Sequence, residues 1–172
     1  MIELYRPQGP AETADLERVR ELVKQAEDPW SRENPLHLTA SAIIVHPASR
    51  RVLLRWHDRL GMWLQVGGHG DSGEHDPVAI VLREAHEETG LTDLRLVSDL
   101  MHVVIVPVPA VGGEPAHEHA DLRYVRATDD PDSARPENPR SPLRWLGFDE
   151  ARRLMGLDIL GETLSRAEKL ML

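Results

Sequence analysis

The most informative stretch of the chain is "REAHEETGL", residues 83–91, which gathers Glu84, Glu87 and Glu88 on one short segment. Like charges at helical spacing destabilise an isolated helix. Either a bound cation offsets this repulsion, or all three side chains face water. Arg83 stands four residues before Glu87, and this spacing predicts an ion pair that orients the Glu87 carboxylate.

Clear boundary signals surround this segment. Pro77 suits a helix start and Gly90 suits a helix end, so the pattern predicts a helix over residues 77–89. The glycine-rich loop "VGGHGDSGE", residues 66–74, comes just before it and would allow close approach of the backbone to a ligand. Carboxylates beside such a loop favour a site for Mg²⁺ or Mn²⁺ over a merely solvated face.

At roughly 100° per residue, the apolar residues of this helix form one stripe, which we expect to face the core. The three glutamates are expected on a separate arc, away from that stripe. The stripe consists of Val78, Val81, Leu82 and Ala85.

The rest of the chain alternates between helical and strand patterns. Amphipathic spacing predicts a first helix over residues 11–27, and two runs rich in β-branched and aliphatic residues predict a hairpin. Strands mixed with flanking helices indicate an α+β or α/β protein. The further predicted elements are strands over 37–46, 51–57, 94–108, 119–127 and 143–147, helices over 148–155 and 160–172, and a proline-rich loop over 129–142.

Composition excludes several classes of protein. The chain has 172 residues, a net charge of -9 and no cysteine. The acidic balance disfavours a nucleic-acid polymer as partner, and the missing thiols exclude disulfides and cysteine nucleophiles. The absence of a signal peptide and of a long apolar run predicts no membrane partner and a cytoplasmic location.

The loop and helix together resemble the Nudix box, G-x5-E-x7-R-E-U-x-E-E-x-G-U, in which U is aliphatic. Eight residues instead of seven separate Glu74 from Arg83, so either the loop bulges by one residue or His75 replaces the first glutamate. The segments 39–69 and 144–154 also look like the family's strand pair and closing strand and helix. The matching box residues are Gly68, Glu74, Arg83, Glu84, Ala85, Glu87, Glu88, Gly90 and Leu91.

This resemblance implies a Nudix fold, an α/β/α sandwich of the α+β class with a mixed sheet flanked by helices. We expect one domain over 1–172, with an N-terminal helical extension (1–36), a Nudix core (37–156) and a C-terminal helix (157–172). It also implies a pyrophosphohydrolase that cleaves a P–O–P linkage in a nucleotide or nucleoside diphosphate derivative, such as a sugar nucleotide or a nucleoside triphosphate. A homodimer is implied in the same way.

In such an enzyme, the three glutamates Glu84, Glu87 and Glu88 would hold Mg²⁺, and the carbonyl of Gly67 or Gly68 could add a ligand. Arg83 would orient Glu87 or Glu74 rather than contact the substrate. A divalent ion neutralises phosphate charge and activates water, and a nearby carboxylate takes the proton.

That base has several candidates. Glu87 or Glu88 could serve, but relatives often use an acid from a loop outside the box. Glu118 is the preferred candidate because it lies between two histidines. The other acids considered are Glu114, Asp121 and Glu137.

Histidines raise a rival hypothesis, a zinc site. His117 and His119 would share one face of a strand, because strand side chains alternate. His69 and His75 lie near the loop. We favour a different role, in which His69 and His119 contact the substrate by donating hydrogen bonds to phosphate oxygens.

Two other functions are compatible with this fold. Isopentenyl diphosphate isomerase commonly uses a catalytic cysteine, which this chain lacks. A catalytically silent nucleotide-sensing module typically loses box glutamates, whereas all three are present here; only the longer loop favours that alternative.

Overall fold

The computed structural model describes residues 2–110, 113–155 and 158–171. Within these ranges the chain forms four α-helices and eight strands around one sheet. The helices are α1 (Pro10–Gln25), α2 (Pro77–Thr89), α3 (Phe148–Met155) and α4 (Asp158–Lys169). The strands are β1 (Leu36–His46), β2 (Arg51–His57), β3 (Met62–Leu64), β4 (Val66–Gly68), β5 (Arg95–Leu96), β6 (His102–Val108), β7 (His117–Ala127) and β8 (Leu143–Gly147).

The centre of the sheet is a long parallel pair, β1 and β7. Their register runs from Leu36 opposite Glu118 to Val45 opposite Ala127. The other edge of β1 is shared, because β2 pairs with its C-terminal part and β4 with its middle, both antiparallel. Since β2 and β4 follow different parts of the same edge, the sheet splits beside β1.

Helices cover both faces of the sheet. Side chains of α1 and α2 pack with alternate residues of β1, such as Ala40 and Ile44, in one apolar cluster. The intervening residues Ile43 and Val45 face a second cluster formed with α3 and α4. The mixed sheet between two helical layers confirms the predicted α+β, α/β/α class, since period-two alternation along β1 provides both buried faces.

A buried ion pair links the N-terminal helix α1 to helix α4. Arg166 Nη1 on α4 lies 2.9 Å from Glu12 Oε2, and both side chains are almost fully buried. The other Glu12 oxygen accepts a hydrogen bond from the Val103 amide at 3.0 Å. Among the apolar residues of this amphipathic helix, Leu16 is buried, whereas Val23 is 41% exposed near the helix end.

Most element boundaries agree with the sequence patterns. The predicted strand region 94–108 divides into the two-residue β5 and the longer β6, and both pair with β7. No helix in the described ranges combines the length and apolar character needed to cross a membrane.

Candidate active site

The predicted acidic helix forms over the expected residues. Asp76 precedes it, and its side chain accepts a hydrogen bond from the Val78 amide at 3.0 Å, which satisfies one free N–H of the first turn. Gly90 ends the helix with φ of 68°, a left-handed conformation that glycine adopts without strain. Capping at both ends therefore fixes the position of the glutamates relative to the preceding loop.

Arg83 makes the contacts that join the glycine-rich loop to helix α2. Its Nη1 lies 3.0 Å from Glu87 Oε2 and 3.2 Å from Glu84 Oε1. Its Nη2 lies 2.9 Å from Glu74 Oε2 and donates to the His69 carbonyl at 2.9 Å. Arg83 was expected to orient Glu87 or Glu74, and its guanidinium contacts both of these carboxylates as well as that of Glu84.

The longer loop keeps Glu74 in the box. The Arg83 guanidinium holds the pKa of Glu74 below its usual value. His75 is exposed and points to Asp28, with Nε2 and Oδ1 3.5 Å apart. Of the two alternatives that the spacing left open, these contacts favour the bulge, because the extra residue does not separate Glu74 from Arg83.

Two glycines allow the backbone to approach the box closely. A Cβ on Gly67, whose φ is 137°, would lie 2.5 Å from the Ala40 carbonyl oxygen. A Cβ on Gly68 would lie 2.7 Å from Glu84 Oε1. Only glycine leaves room here for strand β4 to run between β1 and the glutamates of α2.

Glu88 is the most deeply buried glutamate of the helix. Its Oε2 accepts a hydrogen bond from the Gly67 amide at 3.1 Å, and its Oε1 lies 3.2 Å from Arg55 Nη1. Burial raises its pKa to about 7, although Arg55 and the Gly67 amide act in the opposite direction. Burial also raises the pKa of Glu84, against the effect of Arg83.

Two positions of the helix differ from the prediction. Leu82 was expected to face the core, but it is 43% exposed. Ile80 is fully buried in its place, and Glu88 lies on the buried side rather than on a separate arc. The prediction is correct for Val81 and Ala85, which are buried, but wrong for Leu82 and Glu88, because it ranked positions by hydrophobicity alone, whereas β4 presents an amide and Arg55 a cation to Glu88.

A cavity of about 890 Å³ opens beside the box. Gly67, Gly68 and Glu88 form one part of its wall. Several cationic and imidazole side chains line the remainder, and those that belong to β1 and β7 lie on the sheet face opposite to α1 and α2. These are Arg32, Arg55, Arg59, His37, His57, His69, His117, His119 and Arg123.

Four of these histidines, His37, His69, His117 and His119, form what we call the histidine cluster. The Nε2 atoms of His37 and His69 are 3.0 Å apart, and those of His117 and His119 are 3.1 Å apart. Burial lowers the pKa of His69 to about 3 and that of His119 to about 4, and it also lowers the pKa of His37. The imidazoles of His37, His69 and His119 are therefore neutral near pH 7.

Glu118 is not brought together with the box. It lies on β7 next to His117 and His119, but strand alternation directs it to the other face, where Arg18 of α1 pairs with it at 2.5 Å. This pairing lowers the pKa of Glu118. Glu118 does not line the cavity, whereas Asp121 does.

Two residues of the cavity wall, His37 and Arg55, had no clear signal in the sequence, whereas Asp121 was one of the acids considered as the base. His37 reaches the cluster because β1 and β7 align it opposite His119. Arg55 points inward from β2 to Glu88, and Asp121 accepts hydrogen bonds from Thr39 and Ser41. The positions of these three side chains depend on pairings between segments that are distant in the sequence. Alternation along a strand predicts only which side chains share a face, not which strand lies opposite.

Comparison with known proteins agrees with this geometry. The model of the NUDIX domain matches residues 35–166. The chain therefore belongs to the NUDIX domain family. This confirms the resemblance of the box and the enzyme class, a pyrophosphohydrolase that acts on acid anhydrides.

Solved structures support the fold. Ap4A hydrolase of C. elegans, in a binary complex, is 19% identical with a TM-score of 0.64, over 78% of this chain and 96% of that one. A NUDIX-family hydrolase from Clostridium perfringens is 24% identical with a TM-score of 0.58, over 78% and 95%. Dihydroneopterin triphosphate pyrophosphohydrolase of E. coli is 18% identical with a TM-score of 0.61, over 77% and 94%. A search of curated proteins found no significant match.

Proposed function

We propose that the chain is a Mg²⁺-dependent hydrolase, with Mn²⁺ as the alternative ion, that cleaves a diphosphate linkage in a nucleotide or nucleoside diphosphate derivative. The observation that carries this proposal is the contact of one guanidinium, that of Arg83, with Glu74, Glu84 and Glu87 beside Gly68. A purely solvated acidic face would need neither the shared cation nor the glycine.

The donor set fits a hard divalent ion. Glu84, Glu87 and Glu88 would hold it, together with the carbonyl of Gly67 or Gly68, because Mg²⁺ prefers oxygen ligands. The close approach of Gly68 to the Glu84 carboxylate supports this, since any larger residue would fill that space. When bound, the ion neutralises phosphate charge and makes water a stronger acid.

The residues of the chain contribute orientation and proton transfer. Arg83 acts as a positioning residue that holds Glu84 and Glu87 while Glu74 holds Arg83. Glu88 is the base that we favour, because its carboxylate lines the cavity next to Gly67 and so lies where a phosphate and its attacking water would bind. Arg55 beside it provides positive charge at the cavity wall.

Glu118 as the base stays a prediction. Its carboxylate would have to leave Arg18 and cross from the α1 side of β7 before it could reach the cavity. Glu88 needs no such rearrangement, because it already lines the cavity. Substitution of each carboxylate decides between them.

The substrate site that we propose is the cavity itself. Its volume of about 890 Å³ suits a nucleotide, since small-molecule sites usually measure about 300–1,000 Å³. Arg32, Arg55 and Arg59 would attract the phosphates, and His69 and His119 would donate hydrogen bonds to them. Sugar nucleotides and nucleoside triphosphates are the first substrates to test, followed by compounds like those named for the structural relatives, Ap4A and dihydroneopterin triphosphate.

The decisive experiment is a phosphate- and nucleotide-release assay over such a panel, with Mg²⁺, with Mn²⁺ and with EDTA. We expect turnover of at least one compound, its loss in EDTA, and a decrease of about 100-fold or more in the double variant Glu84→Gln/Glu87→Gln. The variant His75→Ala, an exposed residue outside the Arg83 contacts, provides the matched control.

A catalytically silent nucleotide-sensing module is the alternative. Its one supporting feature, the longer loop, is weakened because Glu74 still contacts Arg83. Tight binding of a nucleotide without turnover of any compound in the panel, in folded and metal-loaded protein, would favour the sensor.

A further inference from the structure

The histidine cluster lies in the same cavity as the box but consists of nitrogen donors rather than oxygen donors. One ligand atom each from His37, His117 and His119 lies within 4.8 Å of the other two. Mg²⁺ does not favour imidazole, whereas Zn²⁺ and its neighbours in the transition series do. The box and the cluster would therefore select different ions.

Backbone carbonyls fix the tautomers of two of these rings, those of His37 and His117. His37 Nδ1 lies 2.8 Å from the Asn34 carbonyl, and His117 Nδ1 lies 2.9 Å from the Pro115 carbonyl. A carbonyl oxygen can only accept, so both Nδ1 atoms donate, and in neutral rings both Nε2 atoms are left with free lone pairs. Donation of the second ring nitrogen to a carbonyl is the usual way in which a metal-binding histidine is oriented.

The strand register brings the three imidazoles together. His117 and His119 share a face of β7, and His37 lies directly opposite His119 on the parallel strand β1. The ring centroid of His37 is 5.4 Å from that of His117 and 5.0 Å from that of His119. Tetrahedral Zn²⁺ with bonds of about 2.0–2.1 Å needs nitrogens roughly 3.4 Å apart, so small side-chain rotations would complete the site.

We propose that His37, His117 and His119 bind a divalent transition metal, Zn²⁺ or a close analogue, as a second metal site separate from the box glutamates. All three residues line the cavity, so the fourth coordination position faces the space where a substrate would lie. Three protein ligands with an open position are the arrangement of reactive zinc sites rather than structural ones. Metal on His119 Nε2 would require the proton that this nitrogen shares with His117 to move to Nδ1, which could then donate to a phosphate.

His69 borders this site without belonging to the set of three. Its Nε2 lies 3.0 Å from that of His37, and its ring centroid is 4.8 Å from that of His119. Without a metal, the Nε2 lone pair of His37 accepts a hydrogen bond from His69 Nε2. The Nε2 lone pair of His117 accepts one from His119 Nε2 in the same way. The metal would replace these two bonds by stronger contacts to three rings.

Zinc binding can be measured independently of hydrolysis. The full chain is saturated with Mg²⁺, which competes for carboxylates but not for imidazoles, and is then titrated calorimetrically with Zn²⁺ alone. Co²⁺ in place of Zn²⁺ adds a visible absorption spectrum that reports nitrogen ligands in a tetrahedral field. We expect one equivalent to bind, and at least about 10-fold weaker binding in each of His117→Ala and His119→Gln.

Two controls make the outcome unambiguous. His75→Ala, which removes an exposed histidine, should bind like the wild type, and Glu84→Gln/Glu87→Gln should keep the Co²⁺ spectrum although it loses Mg²⁺-dependent turnover. Absence of Zn²⁺ binding by the Mg²⁺-saturated wild type, or equal binding by His117→Ala and His119→Gln in folded protein, would overturn the site. Neither result depends on whether the box hydrolyses a diphosphate.

Discussion

Arg83 contacts Glu74 through two nitrogens at once: Nε lies 3.1 Å and Nη2 lies 2.9 Å from Glu74 Oε2. This contact spans the bulged loop and leaves Nη1 free for the glutamates of α2. We therefore expect Glu74→Gln to reduce kcat by about 10-fold or more, because a loosened Arg83 no longer holds Glu84 and Glu87. Steady-state kinetics at saturating Mg²⁺, together with the apparent Mg²⁺ affinity, measure the effect.

His75→Ala is the matched control for this loop, because His75 is the neighbouring residue and its side chain is exposed. Its kcat and Mg²⁺ affinity should equal those of the wild type. If His75→Ala were impaired and Glu74→Gln were not, His75 would be the residue that completes the box.

A second prediction concerns the base. Glu88→Gln should lower kcat by about 100-fold or more, because a carboxylate that takes a proton is lost, whereas Glu118→Gln should change kcat less than about 3-fold. Glu118 pairs with Arg18 on the α1 side of the sheet, so its loss should affect mainly that surface contact. The reverse ranking in single-turnover kinetics would make Glu118 the base, as its histidine neighbours first indicated.

The sequence predicted the box well because its geometry is local. The end residues Pro77 and Gly90 fixed the helix, and the spacing of four residues was sufficient to pair Arg83 with Glu87. Helical periodicity was less successful for Leu82 and Glu88, because the buried side of α2 is decided by what β4 and β2 present to it. A single helix contains no information about those partners.

The histidine cluster illustrates the same limit. Alternation along β7 correctly grouped His117 and His119, since period two is a property of one strand. His37 joined them only because β1 and β7 are parallel in a particular register over ten residue pairs. Neither the pairing nor its register is encoded near His37 in the sequence, so the third donor could not be predicted.

A third prediction uses the two glycines of β4. Gly68→Ala should weaken Mg²⁺ binding by about 10-fold while the fold persists, because its Cβ would lie 2.7 Å from a carboxylate that can move. Gly67→Ala should instead lower the free energy of unfolding by about 2–4 kcal/mol, because its Cβ would meet the Ala40 backbone at 2.5 Å and its φ is 137°. Chemical denaturation and Mg²⁺ titration separate the two effects.

Gly147→Ala is the control for both substitutions, since a Cβ there meets nothing within 4 Å and the residue also lies in a strand. It should leave stability and Mg²⁺ affinity close to those of the wild type. Equal losses of stability in Gly67→Ala and Gly147→Ala would contradict the close approach of β4 to β1.

A fourth prediction concerns the attachment of the N-terminal helix. Glu12→Gln should lower the free energy of unfolding by about 2–3 kcal/mol, because the buried Arg166 would keep only the half-exposed Glu162 as an anionic partner. Glu17→Gln, an exposed change on the same helix, should alter it by less than about 0.5 kcal/mol. Equal unfolding midpoints for the two variants in urea would show that α1 contributes little to stability.

The last prediction follows from His102, which is buried on β6 with Nδ1 2.9 Å from Thr163 Oγ1. Burial, reinforced by Arg166 and Arg123, lowers its pKa from 6.5 to about 4. Between pH 6.5 and 4 the unfolded chain therefore binds a proton at this residue that the folded chain does not. Its contribution to stability is complete above pH 6.5 and is lost as the pH falls towards 4, by up to roughly 3 kcal/mol.

His102→Asn removes this titration and keeps a polar group near Thr163. The variant should be less stable than the wild type at pH 7, but the free energy of unfolding should fall less steeply between pH 6.5 and 4, as measured by urea denaturation at several pH values. His69 and His119 add acid dependence of the same sign in both proteins, so only the difference in slope reports His102. His75→Asn, which changes an exposed histidine, should follow the wild-type slope, and identical slopes for all three proteins would mean that His102 titrates normally in the folded chain.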